Sequence, residues 1–270
     1  MIAMDSLPTL FLSHGAPDLP LRDGAVTEFL RSLCVSIGES LHQQFAKPKA
    51  ILVVSAHWSS AMPRVSAAVT PRTIHDFSGF PADLYKLNYP APGSPALADR
   101  IIALLNEAGI AAQIDPDRGF DHGTWTPLML AYPAADIPVV QLSIQYDHDV
   151  TYHWQLGQAL AALRQEGVLI IGSGSATHNL QAFSPQYDAA PPSWVQQFDQ
   201  WLGESIAQQD WQRLMQYRQL APYAQENHPT EEHLLPLFVA LGAAGSAAKG
   251  VQIHQSYTYG AFSMAAYSFM

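Results

Sequence analysis

Histidine is the residue type best placed to do chemistry in this chain, which has 270 residues and 11 histidines. Three of them follow short apolar runs. Thr9-Leu10-Phe11-Leu12-Ser13 leads into His14, and Ile51-Leu52-Val53-Val54-Ser55 into His57. Val168 to Gly172 runs on through Ser173-Gly174-Ser175-Ala176-Thr177 to His178. Continuous apolar runs of this length read as strands buried on both faces. In a parallel sheet their carboxyl ends share one rim, where open α/β sheets bind ligands. Neutral imidazoles are good ligands for Fe, Zn and Cu, so three of them on one rim point to a metal site. The remaining donor is sought in His228-Pro229-Thr230-Glu231-Glu232-His233. Glu232 would give two histidines and a carboxylate, the facial set of oxygen-using Fe(II) sites. His233 would give three nitrogens, a set equally suited to zinc. Glu231 is expected only to complement a helix dipole. His122, in Gly119-Phe120-Asp121-His122-Gly123, is either an acid–base group beside the metal or a loop histidine capped by Asp121. His75 is assigned a surface role, and His42, His148, His153 and His254 none.

The elements that must position these residues alternate. Val26, Phe29, Leu30, Leu33, Ile37 and Leu41 form one apolar stripe, which predicts a helix over 26–45 with Cys34 packed on it. Strands are expected over 64–69, 111–114 and 138–144. Ser94-Pro95 opens a helix that Gly109 closes. Further helices are expected over 124–131, 150–165 and 211–216, from a Ser193 cap, and from a Thr230 cap through Leu241. Residues 251–257 and 261–269 read as a closing strand pair. The segment 70–93, rich in Pro and aromatics, is too long for an idle connection and reads as a lid or binding loop. Gly172-Ser173-Gly174-Ser175 resembles a phosphate cradle but lacks the following Lys-Ser/Thr of a P-loop. Strand–helix alternation predicts an α/β fold: a single domain over 1–270 with a mostly parallel central sheet flanked by helices and antiparallel edge strands.

Composition narrows the function. The formal charge of −10 argues against a nucleic-acid partner. A single cysteine fits a reducing compartment. No apolar run approaches a membrane span, and the N-terminus shows no signal-peptide pattern, so the expected location is cytoplasmic.

Phe11-Leu12-Ser13-His14-Gly15, Val53 through Trp58, Gly119 through Gly123, Ser173 through Leu180, and Pro229 through Leu237 together resemble the DOPA-type extradiol dioxygenases. These are a branch of the class III, LigB-like, catechol dioxygenases. Tyr89 through Pro95 matches their bacterial members. The likeness runs from about residue 7 to the C-terminus, and all five motifs occur in order. It implies an α/β fold with a non-haem Fe(II) site at one sheet rim, a site that Zn(II) can also occupy. It implies His14, His57 and His233 as metal ligands, with Glu232, the glutamate of the wider class, as the alternative third. His178 becomes the catalytic base and a candidate fourth ligand, and His122 helps bind substrate or oxygen. The implied partners are a small aromatic diol and O2, and the implied reaction opens the ring beside its two hydroxyls to give a semialdehyde. Phe77, Phe80, Tyr85 and Trp125 are candidate walls for the ring. His228 stands where many members have Asn. The alternative function is a zinc-dependent hydrolase using His14, His57 and His233 with a water.

Overall fold

The computed structural model describes residues 6–33 and 47–270. The expected first helix falls partly outside them, as do Cys34 and His42. Its described part is α1 (Ala25–Arg31), which buries Val26, Phe29 and Leu30.

Four parallel strands make the centre of an eight-stranded sheet: β1 (Thr9–Ser13), β2 (Ala50–Ser59), β5 (Val139–Ile144) and β6 (Val168–Gly174). They stand in the order β5-β2-β6-β1, with Leu52 beside Ile170 and Thr9 beside it on the other side. All are buried along nearly their whole length, as their unbroken apolar sequences require. Both flanks of this core carry antiparallel pairings. On one, β3 (Arg64–Ser66) runs antiparallel to β5 and parallel to β4 (Gln113–Asp115). On the other, β7 (Gly250–His254) pairs with β10 (Ala266–Phe269), which pairs with β1. A separate two-stranded ribbon joins β8 (Tyr257–Thr258) to β9 (Phe262–Ser263). The expected mixed α/β sheet with antiparallel margins is what forms.

Alternate residues of each central strand face opposite layers. Leu52 and Val54 belong to one apolar core, Ile51 and Val53 to the other. The first core packs under α2 (Pro95–Glu107), α4 (Val150–Ala159), α5 (Ser193–Ala207) and α9 (Leu235–Ala244). The second packs under α1 and α3 (His122–Ala131). Short helices α6 (Trp211–Met215), α7 (Tyr217–Leu220) and α8 (Ala224–Asn227) lead into the 228–234 turn.

Several local expectations need correction. His57 lies inside β2, because the strand runs four residues past Ser55 with a register irregularity against β5. His122 is the first residue of α3 rather than a loop residue. Asp121 caps that helix by accepting from the Thr124 backbone N–H. Ser193 begins α5 without a side-chain cap. The last long helix starts at Leu235, so Thr230 does not cap it and Glu231 and Glu232 are not in its first turn. Glu231 instead accepts from the Tyr217 hydroxyl at 2.7 Å and pairs with Arg218.

The two glycines of the 172–175 segment serve close packing. A Cβ on Gly172 would collide with the Pro236 carbonyl oxygen, and one on Gly174 with that of His233. The end of β6 thereby fixes the turn that carries His233, and Ser175 N–H donates to His233 O at 2.9 Å.

Candidate metal centre

The parallel centre delivers its histidines to one place. His14 follows β1 and His57 lies in the last stretch of β2, two residues before its end, and their Nε2 atoms lie 3.0 Å apart. His233 Nε2 lies 3.3 Å from His57 Nε2. His122 packs on His57 with ring centroids 3.8 Å apart. His178 lies flat on His233 at 3.4 Å and an interplanar angle of 9°. Two sets of donor atoms, His14–His57–His122 and His178–Glu232–His233, each fall within 4.8 Å. The His57–His233 contact joins them into one cluster.

Hydrogen bonding fixes which nitrogen faces the centre for two of the rings, His14 and His233. Ser173 Oγ donates to the Gly123 carbonyl, so it accepts from Nδ1–H of His14 at 3.0 Å. Nδ1–H of His233 donates to Glu232 Oε1 at 3.0 Å. Both Nε2 atoms therefore present lone pairs, and both meet His57 Nε2. With its own proton on Nδ1, on the side of Asp76, His57 presents a third lone pair there, and three lone pairs so arranged are reconciled by a cation among them. Ligands about 2.1 Å from one ion, at angles between octahedral and tetrahedral, stand about 3.0–3.4 Å apart. The two N···N distances here, 3.0 and 3.3 Å, match that spacing. The donor set fits a divalent metal. Glu232 stands behind His233 as its hydrogen-bond acceptor, an arrangement that orients a ligating imidazole and raises its basicity.

The imidazoles are held neutral. Burial pushes His14 well below the ordinary histidine value, helped by His57, His122 and His178. His233 is lowered likewise, first by burial and then by its neighbouring histidines. His57 falls to about 3, chiefly by burial and His122, with Asp76 opposing. His178 also falls to about 3, for burial first and then His57 and His122. Neutral rings are the form that binds metal.

The family model of the catalytic LigB subunit of aromatic ring-opening dioxygenases matches residues 8–270. The chain belongs to the LigB family. A Beta vulgaris protein named 4,5-DOPA dioxygenase extradiol is 47% identical over 263 residues, covering 97% of this chain and 96% of that protein. An Escherichia coli K12 protein of the same name is 41% identical over 243 residues, 88% of this chain and 85% of its own. The crystal structure of an uncharacterized Escherichia coli K12 protein superposes with a TM-score of 0.80 at 34% identity, covering 97% of this chain and 99% of that one. This LigB-family protein is thus an enzyme of the extradiol dioxygenase class, which sets the hydrolase alternative aside.

Around the LigB-family cluster lies a cavity of about 360 Å³. Phe77 and Phe80 line it, as expected; Tyr85 and Trp125 do not. Trp125 is fully buried and its indole N–H donates to Ile74 O at 2.9 Å, while Tyr85 packs on Phe77. Leu180, Phe183 and Phe262 are lining residues that sequence reasoning did not single out. His75 packs behind Phe77, 3.0 Å from Leu87 O. His228 lies outside the cavity and fully buried, its Nε2 2.9 Å from Ala176 O.

Two carboxylates emerge as supports. Asp121 is fully buried and its charge is met by Arg118 at 2.7 Å, Ser55 Oγ at 2.7 Å and the Gln141 amide. It ties β2 and β5 to the start of α3, hence to His122. Asp76 was missed altogether. One of its oxygens lies 3.0 Å from His122 Nδ1 and accepts from the His122 backbone N–H at 2.9 Å; the other lies 3.6 Å from His57 Nδ1. Burial alone would raise its pKa, but the contacts with His122 outweigh that and bring it to about 2. The only sequence signal for Asp76 was its place in the suspected lid.

Proposed function

We propose that the protein opens the ring of a small catechol with O2, breaking the carbon–carbon bond beside the diol, at an Fe(II) ion held by His14, His57 and His233. The convergence of three imidazole Nε2 atoms, two with their outer nitrogens committed to Ser173 and Glu232, carries this reading. A bound divalent ion supplies the charge that lowers the pKa of a catechol hydroxyl and, as Fe(II), the redox chemistry that lets catechol and O2 react. Because His178 is neutral, its free nitrogen can take a hydroxyl proton, and its stacking on His233 and Phe262 holds the ring in place. His122, held beside Asp76 at the start of α3, lines the same cavity and is assigned to substrate or oxygen binding. Phe77, Phe80 and Phe262 exclude water from the ring. Both atoms of O2 enter the product, which carries one new aldehyde and one new carboxylate.

The test is anaerobic reconstitution with Fe(II), addition of a catechol such as DOPA or 4-methylcatechol, then admission of air. One O2 consumed per catechol and a visible-absorbing product are expected. His178→Ala should keep its metal but lose turnover by about 10²–10⁴-fold, the usual worth of acid–base catalysis. An iron-loaded protein that consumes no O2 with any catechol would refute the reading.

A further inference from the structure

His178 is held differently from the other histidines of the cluster. The His14 ring is tied to Ser173, the His233 ring to Glu232, and His122 Nδ1 lies 3.0 Å from Asp76. The His178 ring makes no hydrogen bond among the described residues; it stacks on His233 and Phe262. Flat stacking fixes a plane but lets a ring slide within it. The place of its free nitrogen is therefore set by the backbone that carries it.

Three consecutive residues clamp that backbone. His178 N–H donates to Asn227 O at 2.9 Å, the Asn179 side-chain amide donates to Glu226 O at 2.6 Å, and His228 Nε2 lies 2.9 Å from Ala176 O. The first two contacts use main-chain carbonyls of the clamp, which any residue there would supply. The third is made by a side chain. His228 is fully buried beside Phe198 and Tyr217, where an apolar residue would pack as well. Burial, opposed by the Ala176 contact, lowers its pKa to about 3, so the ring is neutral. A carbonyl oxygen only accepts, so the ring proton sits on Nε2. Nδ1 is left a buried acceptor with no partner among the described residues. Such an unpaired atom is costly, and the bond to Ala176 O is what the imidazole provides in return. The clamp is anchored behind: the Asn227 amide donates to Trp194 O, and Arg218 donates to His228 O while pairing with Glu231.

We infer that His228 is a positioning residue for ring opening: its Nε2–H bond to Ala176 O fixes the 176–179 segment and so the place where His178 meets the substrate hydroxyl. It acts from outside the cavity, which it does not line. The kinetic part rests on the proposed role of His178; the backbone clamp does not.

The experiment compares His228→Gln with His228→Met. The two side chains share length and shape, but only the amide donates, and from about where Nε2 stands. By O2 uptake of the Fe(II)-loaded protein, His228→Met should lose about 10- to 100-fold in kcat, the cost of a misplaced catalytic group, and His228→Gln less than about threefold. Zn(II) affinity should stay within about twofold in both, because no ligand or its hydrogen-bond acceptor is changed. On a His178→Ala background His228→Met should cost nothing further, as for residues that act as one unit. A readout independent of turnover is amide hydrogen exchange over 176–179 in Zn(II)-loaded protein. It should be about tenfold faster in His228→Met than in the parent or His228→Gln. Parent-like kcat in His228→Met, no rescue by Gln, or the same loss repeated on His178→Ala overturns the inference. Loss of folding or of metal binding along with activity makes the role structural and overturns it too. If the parent turns over no catechol, the ring-cleavage reading fails, and the exchange comparison by itself decides whether His228 holds the segment.

Discussion

Asp76→Asn is the most informative single perturbation, because Asp76 touches two members of the cluster from a loop 46 residues before His122. Asn keeps the size and a carbonyl able to accept from the His122 backbone N–H, but removes the charge. Losing a carboxylate that orients a ligating histidine costs about 10–100-fold in metal affinity or activity. The two contacts divide that range. The distance to His57 Nδ1, 3.6 Å, is too long for a hydrogen bond, and the Asp76 side chain is 23% exposed, so the metal-affinity loss belongs at the low end. We expect about tenfold weaker metal binding, or about 1.4 kcal/mol. The contact to His122 Nδ1 is 3.0 Å, so turnover should fall further, by about 100-fold, the cost of misplacing a positioning side chain. The assay is competition with a chromophoric chelator for Zn(II), paired with O2 uptake by the iron-loaded protein. Metal affinity and turnover both within twofold of the parent would refute the idea that Asp76 orients the site.

His233→Ala should abolish stoichiometric metal binding, whereas Glu232→Gln should retain it with about tenfold lower affinity, as for an oriented ligand losing its acceptor; metal content by plasma emission decides, and the reverse result would make Glu232 the ligand. Metal-free protein should lose stability as pH falls from 7 to 5. Burial lowers His153 to about 4, so the folded state refuses a proton that the unfolded state takes up below about 6.5, and stability present above that value drains away towards pH 4. His153 accounts for about 2 kcal/mol between pH 7 and 5. Its Nε2 accepts from Gln145 N–H, which protonation would break. Asp76 adds nothing in this window, since its own change lies below pH 4. Urea titrations of the parent and His153→Gln should show a shallower pH dependence in the variant; identical profiles would contradict the assignment.

The amino-acid sequence alone determined the sheet and its rim. Runs such as Ile51–Ser55 and Val168–Gly172 have no polar face to offer solvent, so they form central parallel strands, and the histidines that follow them share the carboxyl edge. Local pattern likewise placed the Ser94 cap and the closing antiparallel pair. The roles of Glu232 and His233 were not legible, because adjacent residues in a turn point in different directions; both line the cavity, and only the folded turn packed over Gly174 sets His233 Nε2 3.3 Å from His57 Nε2 with Glu232 accepting from its Nδ1. The helical reading of 230–234 failed for a related reason. Thr230 and Glu232 hydrogen-bond each other within a turn pinned to β6, and tertiary contact overrides their capping preference. Asp76 was invisible because nothing local sets it apart; its role exists only where the 70–93 loop folds over α3.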